Sequence, residues 1–213
     1  TPIRRQRQMC IRDSAYASGG DTKKALDGLG NKFETLNLGV KPYPSCRYSH
    51  AAIDGIIDLK KELDFSIDDL DDIDIGLSET ALNIIGYPLE DKQNPKSIVD
   101  GQFSMPFCAA VAAKSGGLKW DDYKDHLNNS DTLALCNKIK VNPDKDAEKC
   151  CPEFMSAKVK MVVKGKTYEK FVKIPKGEPE NFMKDEEFIS KFKGLTEPYL
   201  SNERVNQLTD LML

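Results

Sequence analysis

The sequence predicts an α+β fold in which about four strands form one small mixed or antiparallel sheet with flanking helices. Segments 156–164 and 167–174 alternate apolar with polar residues on either side of Gly165, as expected of a β-hairpin. Further strands are predicted at 73–77 and 136–142, where apolar residues again alternate. Because helical segments separate all strands except those of the hairpin, a doubly wound parallel sheet is disfavoured.

The helices around these strands follow from apolar periodicity and composition. Apolar residues recur at helical spacing over 50–63 and form one face. The stretch from about 101 to 115 is rich in alanine, which is typical of a closely packed, buried helix. Short helical pieces are predicted at 120–135, and longer helices at 185–193 and 197–213.

Length, composition and charge narrow the function classes. The 213 residues suffice for one large or two small domains, and 39% hydrophobic with 31% charged residues is an ordinary soluble balance. The formal net charge of −3 does not indicate a nucleic-acid surface, and the lysines at 158–176 alternate with apolar residues as on a solvated strand face. No apolar run approaches the ~20 residues of a membrane span, and no secretory signal is present.

The cysteines indicate a reducing compartment, which we take to be the cytoplasm. Their spacing is not that of a small disulfide scaffold. With two histidines and no C-x-x-C pair, a structural zinc site is not expected. The acidic run Asp68–Asp74 lacks the glycine and closing glutamate of a calcium loop, which favours a solvated turn and strand. The six cysteines are at 10, 46, 108, 136, 150 and 151.

Residues 1–20 do not resemble the start of a domain. They show no clear periodicity and end in Gly-Gly. We interpret them as a non-native leader, the alternative being a natural disordered arm, and leave them out of the fold prediction.

The stretch Lys41–His50, KPYPSCRYSH, is the leading candidate for a functional site. Its two prolines fix φ at about −65° and favour extended geometry before them. Ser49 is expected to cap the helix that begins at His50. Lys41, Arg47 and His50 would then gather at one helix N-terminus, where N–H groups and the helix dipole attract anions. This pattern predicts a site for the carboxylates of a small acid.

Three stretches together resemble the carboxy-terminal half of the MmgE/PrpD family, namely KPYPSCRYSHAAIDG, GQFSMPFCAAVAAKSGG and KGEPENFMKDEEFISKFKGL. The family includes 2-methylcitrate dehydratase, cis-aconitate decarboxylase and iminodisuccinate epimerase. The resemblance covers roughly residues 24–213. It implies a lyase or isomerase without a cofactor, acting on small di- or tricarboxylic acids, and a homodimer. No nucleic-acid or membrane partner is expected.

The resemblance also implies a two-domain fold. Residues 21–65 would be a helical-domain segment with the active-site loop, 66–180 an α+β lid, and 181–213 helices that return to the helical domain. Family members are more than twice as long, and their amino-terminal half contributes an aspartate and histidines to the active site. This sequence shows no substitute for them, so we expect a carboxy-terminal fragment that is inactive by itself.

Three residues are candidates for catalysis. By this resemblance, Lys41 matches the family's active-site lysine, and His50 matches the histidine at the end of the same motif. Tyr87 falls where the family is expected to have a substrate-facing tyrosine. Each also has a structural interpretation. Lys41 could be a surface lysine before a proline turn, His50 could bond only neighbouring backbone, and Tyr87 could be a half-buried ring beside a proline.

Three further residues are candidates for substrate binding. Arg47 could bind a carboxylate through two parallel hydrogen bonds or form a surface salt bridge. Cys46 stands where the decarboxylase branch has a histidine, which argues against decarboxylation, and a small packed side chain is the structural alternative. Ser104 could bond substrate or simply cap its helix.

The predicted chemistry is elimination of water or epimerisation next to a carboxylate. Lys41 and Arg47 would stabilise the charge that builds on that carboxylate, and His50 or Tyr87 would supply a proton. The base would come from the amino-terminal half. The competing hypothesis is an inactive anion-binding or interaction domain.

Overall fold

The computed structural model describes residues 27–212, and it divides between Leu38 and Gly39. Before the division, the described residues contain a 3₁₀ turn at Glu34–Asn37. After it, Gly39–Leu213 is a second unit that holds the sheet and the candidate site. The leader expected at 1–20 lies outside the described residues.

The prediction of about four strands in one mixed or antiparallel sheet is confirmed: the sheet has four strands and is mixed. Its strands are β1 (Leu70–Leu77), β2 (Ile139–Pro143), β3 (Ala157–Val163) and β4 (Lys166–Val172). Their order in space is β2-β1-β3-β4. β1 pairs with β2 in parallel, whereas β1 with β3 and β3 with β4 are antiparallel. The fold is therefore α+β.

Helices of very different length surround the sheet. A π-helical turn at Leu82–Gly86 and 3₁₀ turns at Arg47–Ser49 and Ile67–Asp69 connect some of them. The α-helices are α1 (His50–Leu63), α2 (Glu79–Ala81), α3 (Leu89–Gln93), α4 (Ile98–Gln102), α5 (Met105–Ser115), α6 (Asp122–His126), α7 (Ser130–Cys136), α8 (Lys145–Cys150), α9 (Asp185–Thr196) and α10 (Asn202–Met212).

The core lies between one face of the sheet and helices α1 and α5. α1 contacts β3, β4 and α5, and α5 contacts β2. Ile53 and Ile56 of α1 and Ile73 and Ile75 of β1 are completely buried. Each such side chain contributes about 1.5–3 kcal/mol relative to an exposed one. This core fixes α1, and with it the residues at its start, against the sheet.

The helix predicted at 101–115 is broken in the structure. Ser104 has extended φ and ψ of −117° and 114°, and its hydroxyl accepts the N–H of Phe107 at 3.0 Å. Pro106 in the first turn has no N–H that would need a partner. The capping interaction at Ser104 therefore starts α5 and separates it from α4.

The other face of the sheet carries charges of alternating sign. Asp74 pairs in register with Lys140 and Lys160, and Lys160 pairs with Glu169. Lys160 and Glu169 form an exposed salt bridge of 3.4 Å, a type of contact that contributes little to stability. The lysines of this region are thus balanced by acidic neighbours.

None of the helices described between residues 27 and 212 has the length and apolar character required to cross a membrane.

Candidate active site

The segment Lys41–Cys46 enters α1 through the 3₁₀ turn Arg47–Ser49. The prediction that Ser49 caps α1 is wrong, because its backbone is helical and its hydroxyl donates to the Cys46 carbonyl at 2.8 Å. The turn also uses two backbone donors: Ser49 N–H bonds the Cys46 carbonyl, and His50 N–H bonds the Arg47 carbonyl. These N–H groups are therefore not available to an anion.

Lys41 and His50 converge on a single backbone oxygen. Lys41 Nζ donates to the Ser45 carbonyl at 3.1 Å, and His50 Nε2 donates to the same oxygen at 3.4 Å. The ring of Tyr43 stands edge-on to the imidazole with centroids 5.2 Å apart. The structure thus places the two motif residues side by side, while their chemical roles stay predictions.

His50 is fully buried and electrically neutral. Burial lowers its pKa to about 3, and the positive charges of Arg47, Lys41 and Lys191 act in the same direction, against a raising effect of the bond to Ser45. A general acid at neutral pH must exchange a proton in that range. A neutral ring with both nitrogens bonded is poorly suited to the acid–base role expected from the sequence.

Arg47 binds a carboxylate of the protein itself. Its Nε donates to Glu178 Oε1 at 2.7 Å, and the two side chains form a largely buried ion pair. Nη1 donates to the Lys176 carbonyl at 3.1 Å and to His50 Nδ1 at 3.0 Å. Of the two interpretations of Arg47, the geometry favours the salt bridge, although this salt bridge is largely buried rather than on the surface.

A cleft of about 650 Å³ opens beside the segment Lys41–Cys46. This volume is typical of a small-molecule site. Five lysines and two glutamates line it, although the whole chain carries a net charge of −3. Positive charge is therefore concentrated in the cleft, where it favours an anionic ligand. The lysines are Lys41, Lys61, Lys119, Lys176 and Lys191, and the glutamates are Glu186 and Glu187.

One face of α9 forms a wall of this cleft. Glu187, Ser190, Lys191 and Gly194 line it and follow the i, i+3, i+4, i+7 spacing of a single helical face. Lys191 Nζ also donates to the Lys41 carbonyl at 2.7 Å. These four residues were not predicted from the sequence, because helical spacing places them on one face but does not show that this face lies beside Lys41.

Asp54 of α1 accepts hydrogen bonds from two segments that line the cleft, one at Tyr43 and one at Lys176. Its Oδ1 accepts the Tyr43 hydroxyl at 2.6 Å, and its Oδ2 accepts the Lys176 N–H at 2.7 Å. Burial raises the pKa of Asp54, while these two hydrogen bonds oppose the rise. Burial and the neighbouring carboxylate raise the pKa of Tyr43, so its hydroxyl is a neutral donor held by Asp54.

Lys176 and Glu187 both line the cleft and form an ion pair with each other. Burial is the largest single effect and raises the pKa of Glu187, but the hydrogen bonds from Lys176 and Lys184 and the charges of both lysines together outweigh it, so the pKa is lowered. A carboxylate whose pKa is lowered in this way is a weak base, so Glu187 is a poor candidate for proton abstraction.

The remaining predicted site residues differ in position. Cys46 lines the cleft, with its N–H bonded to the Gln102 carbonyl at 2.9 Å. Ser104 is buried, and its hydroxyl donates its single proton to the Lys92 carbonyl while it accepts the Phe107 N–H that caps α5. The Tyr87 hydroxyl donates to the Val141 carbonyl of β2 at 3.4 Å. Among the described residues that line the cleft, neither Ser104 nor Tyr87 is found.

Within residues 27–212, no cluster of three or more histidine, cysteine, aspartate or glutamate side chains is arranged to hold a metal ion. The polar lining of the cleft includes lysine ammonium groups, the carboxylates of Glu186 and Glu187, and hydroxyl groups.

Comparison with known proteins identifies the family of the chain. The sequence model of the MmgE/PrpD C-terminal domain matches residues 43–213, which is most of the chain and begins two residues after Lys41. A search of curated proteins found no matching relative. The matched region contains α1, the complete sheet and α9, so nearly all of the lysine-lined cleft lies inside it. The chain belongs to the MmgE/PrpD family, of which it contains the C-terminal domain.

Proposed function

We propose that this chain supplies the substrate-binding part of a cofactor-free lyase or isomerase that acts on small di- or tricarboxylic acids, as 2-methylcitrate dehydratase does. The observation that carries the proposal is the lysine-lined cleft beside Lys41. Several cations in one concave site match the several carboxylates of such an acid.

Elimination of water next to a carboxylate requires stabilisation of the negative charge that builds on that group. Lys41 suits this task, because it is exposed to the cleft while its Nζ is oriented by the Ser45 carbonyl. Lys191 lies beside it on α9 and binds the Lys41 carbonyl. We assign a second carboxylate of the substrate to Lys191.

The general base is assigned to a part of the protein outside residues 27–212. Within these residues, the carboxylates that line the cleft are Glu186 and Glu187, and Glu187 is bound to Lys176. An epimerase would need the same cationic cleft, since it also forms a carbanion next to a carboxylate. The proposal therefore covers both reaction types.

A second candidate is a non-catalytic anion-binding or interaction domain. It is favoured by the apolar side chains that the cleft exposes, since large exposed apolar groups often mark contact surfaces. Phe103, Trp120 and Leu195 are each more than two-fifths exposed. In this case the chain would bind polycarboxylates without converting them.

Trp120 offers a direct test, because it is the single tryptophan of the chain and lines the cleft. We expect titration with tricarballylate, citrate, cis-aconitate or 2-methylcitrate to change its fluorescence. Lys41→Met should weaken the binding of tricarballylate about tenfold or more, as expected for loss of a charge-assisted hydrogen bond. Lys145→Met is the matched control, since Lys145 is exposed on α8 and outside the cleft, and it should leave the affinity unchanged.

Equal affinities of the Lys41→Met and Lys145→Met variants would contradict the assignment of the cleft. Ultraviolet absorbance of an unsaturated acid, followed during incubation with 2-methylcitrate or citrate, separates the two candidates. Because the general base is assigned outside residues 27–212, this assay uses a protein in which the domain is joined to the amino-terminal half of a MmgE/PrpD enzyme. Formation of the unsaturated acid that Lys41→Met reduces supports the lyase, whereas binding without any conversion supports the non-catalytic domain.

A further inference from the structure

We propose that His50, Arg47 and Glu178 are positioning residues that fix the Lys41 ammonium group for substrate binding. This inference rests on the proposed function, because it concerns how the same cleft holds a carboxylate. It gives His50 a role other than proton transfer, and it adds Glu178, which lies far from the motif in the sequence.

The first step is the tautomer of His50. A guanidinium group can only donate hydrogen bonds, so His50 Nδ1, at 3.0 Å from Arg47 Nη1, must be the unprotonated acceptor. The ring proton then lies on Nε2. Arg47 thus determines which imidazole nitrogen carries the proton.

The second step leads from the ring to Lys41. His50 Nε2–H donates to the Ser45 carbonyl at 3.4 Å, and a carbonyl oxygen has a second lone pair for the Lys41 ammonium at 3.1 Å. The opposite tautomer would turn a lone pair toward this oxygen and repel it. The Lys41 side chain is therefore oriented through an oxygen that the neutral histidine holds in place.

Arg47 is itself held in place by Glu178 and by the backbone of Lys176. Glu178 Oε1 accepts from Arg47 Nε at 2.7 Å, and the neighbouring Lys176 carbonyl accepts from Nη1 at 3.1 Å. The backbone supports the same contact, because Val40 N–H donates to the Gly177 carbonyl at 2.7 Å. The loop after β4 and the residue before Lys41 are therefore held together, with Arg47 between them.

Binding of tricarballylate, measured by Trp120 fluorescence, tests the chain of contacts with a double-mutant cycle. His50→Leu keeps an apolar side chain in the buried position but removes the donor to Ser45, and we expect about fivefold weaker binding. His50→Gln can still donate from a side-chain amide near the position of Nε2, and should stay within about twofold of the unmodified protein. The double variant Lys41→Met/His50→Leu should bind no more weakly than Lys41→Met alone, because His50 acts through Lys41.

The positioning role would be overturned if the losses of tricarballylate affinity from Lys41→Met and His50→Leu added up in the double variant. It would also be overturned if His50→Gln bound tricarballylate as weakly as His50→Leu. If Lys41→Met itself has no effect, the proposed function fails instead, so the two failures are distinct. Should His50→Leu not fold, Glu178→Gln takes its place in the cycle, since Glu178 is partly exposed and the amide keeps its size. Its expected loss is about threefold alone and none in the Lys41→Met background.

Nuclear magnetic resonance gives a readout without any ligand. The sequence has two histidines, His50 and His126, so a His126→Gln variant assigns the imidazole signals. Long-range ¹H–¹⁵N spectra should show His50 with an unprotonated Nδ1 and a protonated Nε2 throughout about pH 5 to 8, the range in which an ordinary histidine titrates. A His50 signal that titrates near pH 6.5, or a proton on Nδ1, would contradict the inference.

Discussion

The chemistry of His50 is set by its neighbours rather than by its type. A histidine at the start of a helix suggests acid–base catalysis when only the sequence is considered. In the structure the ring is buried between Arg47, the Ser45 carbonyl and Tyr43. Burial and three nearby cations keep it neutral, so its contribution is a directed N–H group.

The hydrogen bond from Tyr43 to Asp54 is expected to stabilise the fold. Tyr43→Phe removes a hydrogen bond of 2.6 Å from the Tyr43 hydroxyl to the partly buried carboxylate of Asp54. We expect a loss of about 1–3 kcal/mol in the free energy of unfolding at neutral pH, because an acceptor loses its partner in a poorly solvated place. Urea unfolding followed by Trp120 fluorescence measures it.

Tyr199→Phe is the control for this prediction, since Tyr199 is 80% exposed and its hydroxyl is in contact with solvent. It should change the free energy of unfolding by less than about 0.5 kcal/mol. Equal stability of both variants would show that the Tyr43–Asp54 contact contributes nothing to the fold.

Sequence reasoning at the residue scale succeeded where one motif contained both partners. Lys41 and His50 lie within ten residues, and the prolines between them restrict the possible geometries. The prediction that Ser49 caps α1 was wrong, because a 3₁₀ turn at Arg47–Ser49 precedes the helix and already places Ser49 in helical geometry. A residue's general preference for capping positions does not indicate such a turn. Sequence reasoning could not find Glu178, whose contact with Arg47 spans 131 residues.

Helix and strand bounds were predicted more accurately where the spacing of apolar residues was regular over several turns. α1 has the predicted bounds, 50–63, because its apolar spacing is sustained over several turns. The strand predicted at 136–142 begins instead at Ile139, since α7 continues to Cys136. The boundary depends on local hydrogen bonds that periodicity does not encode, here those from the Asn137 and Lys138 N–H groups to the Leu133 and Leu135 carbonyls at the end of α7.

The loop after β4 yields a prediction of this scale. Gly177 has φ of +87°, and a Cβ there would lie 1.9 Å from the Val40 carbonyl oxygen. Gly177→Ala should therefore cost about 3 kcal/mol or more in unfolding free energy, from backbone strain and from separation of the two segments. The same variant should weaken tricarballylate binding, because the displaced segment leads directly to Lys41.

Gly165→Ala separates strain from steric clash in this experiment. Gly165 also has a positive φ, +70°, in the β3–β4 turn, but no atom lies within 4 Å of a Cβ placed there. Its cost should be about 1 kcal/mol, with unchanged binding of tricarballylate. If Gly177→Ala were no more damaging than Gly165→Ala, the close contact with Val40 would not matter for the site.

For the whole unit Gly39–Leu213, the decisive feature is that the cleft is assembled from distant segments. The motif loop, the residues after α5 and one face of α9 all contribute to its lining. The composition gives the whole chain a net charge of −3, but this total does not show that five lysines lie together in the lining of the cleft. Such clustering arises only when the fold brings α9 back to Lys41, so the sequence could not reveal it.

The buried histidine also makes the stability of the whole unit depend on pH. Above about pH 6.5, His50 is neutral in both the folded and the unfolded state and has no effect. Below this value the unfolded chain takes up a proton at the ordinary pKa of 6.5, whereas the folded protein does not until about 3. The unfolded state then binds more protons, so folding free energy is lost as the pH falls.

Comparison with His50→Leu isolates this contribution, because other groups, including Asp54 with its raised pKa, are common to both proteins. Between pH 7 and pH 4 the unmodified protein should lose about 3 kcal/mol more unfolding free energy than His50→Leu. His126→Gln should show a smaller difference, since burial lowers the pKa of His126 but the ring is partly exposed. Parallel pH profiles of the unmodified protein and His50→Leu in urea unfolding would mean that His50 charges freely in the folded state. In that case the neutral ring between Arg47 and the Ser45 carbonyl could not exist in solution.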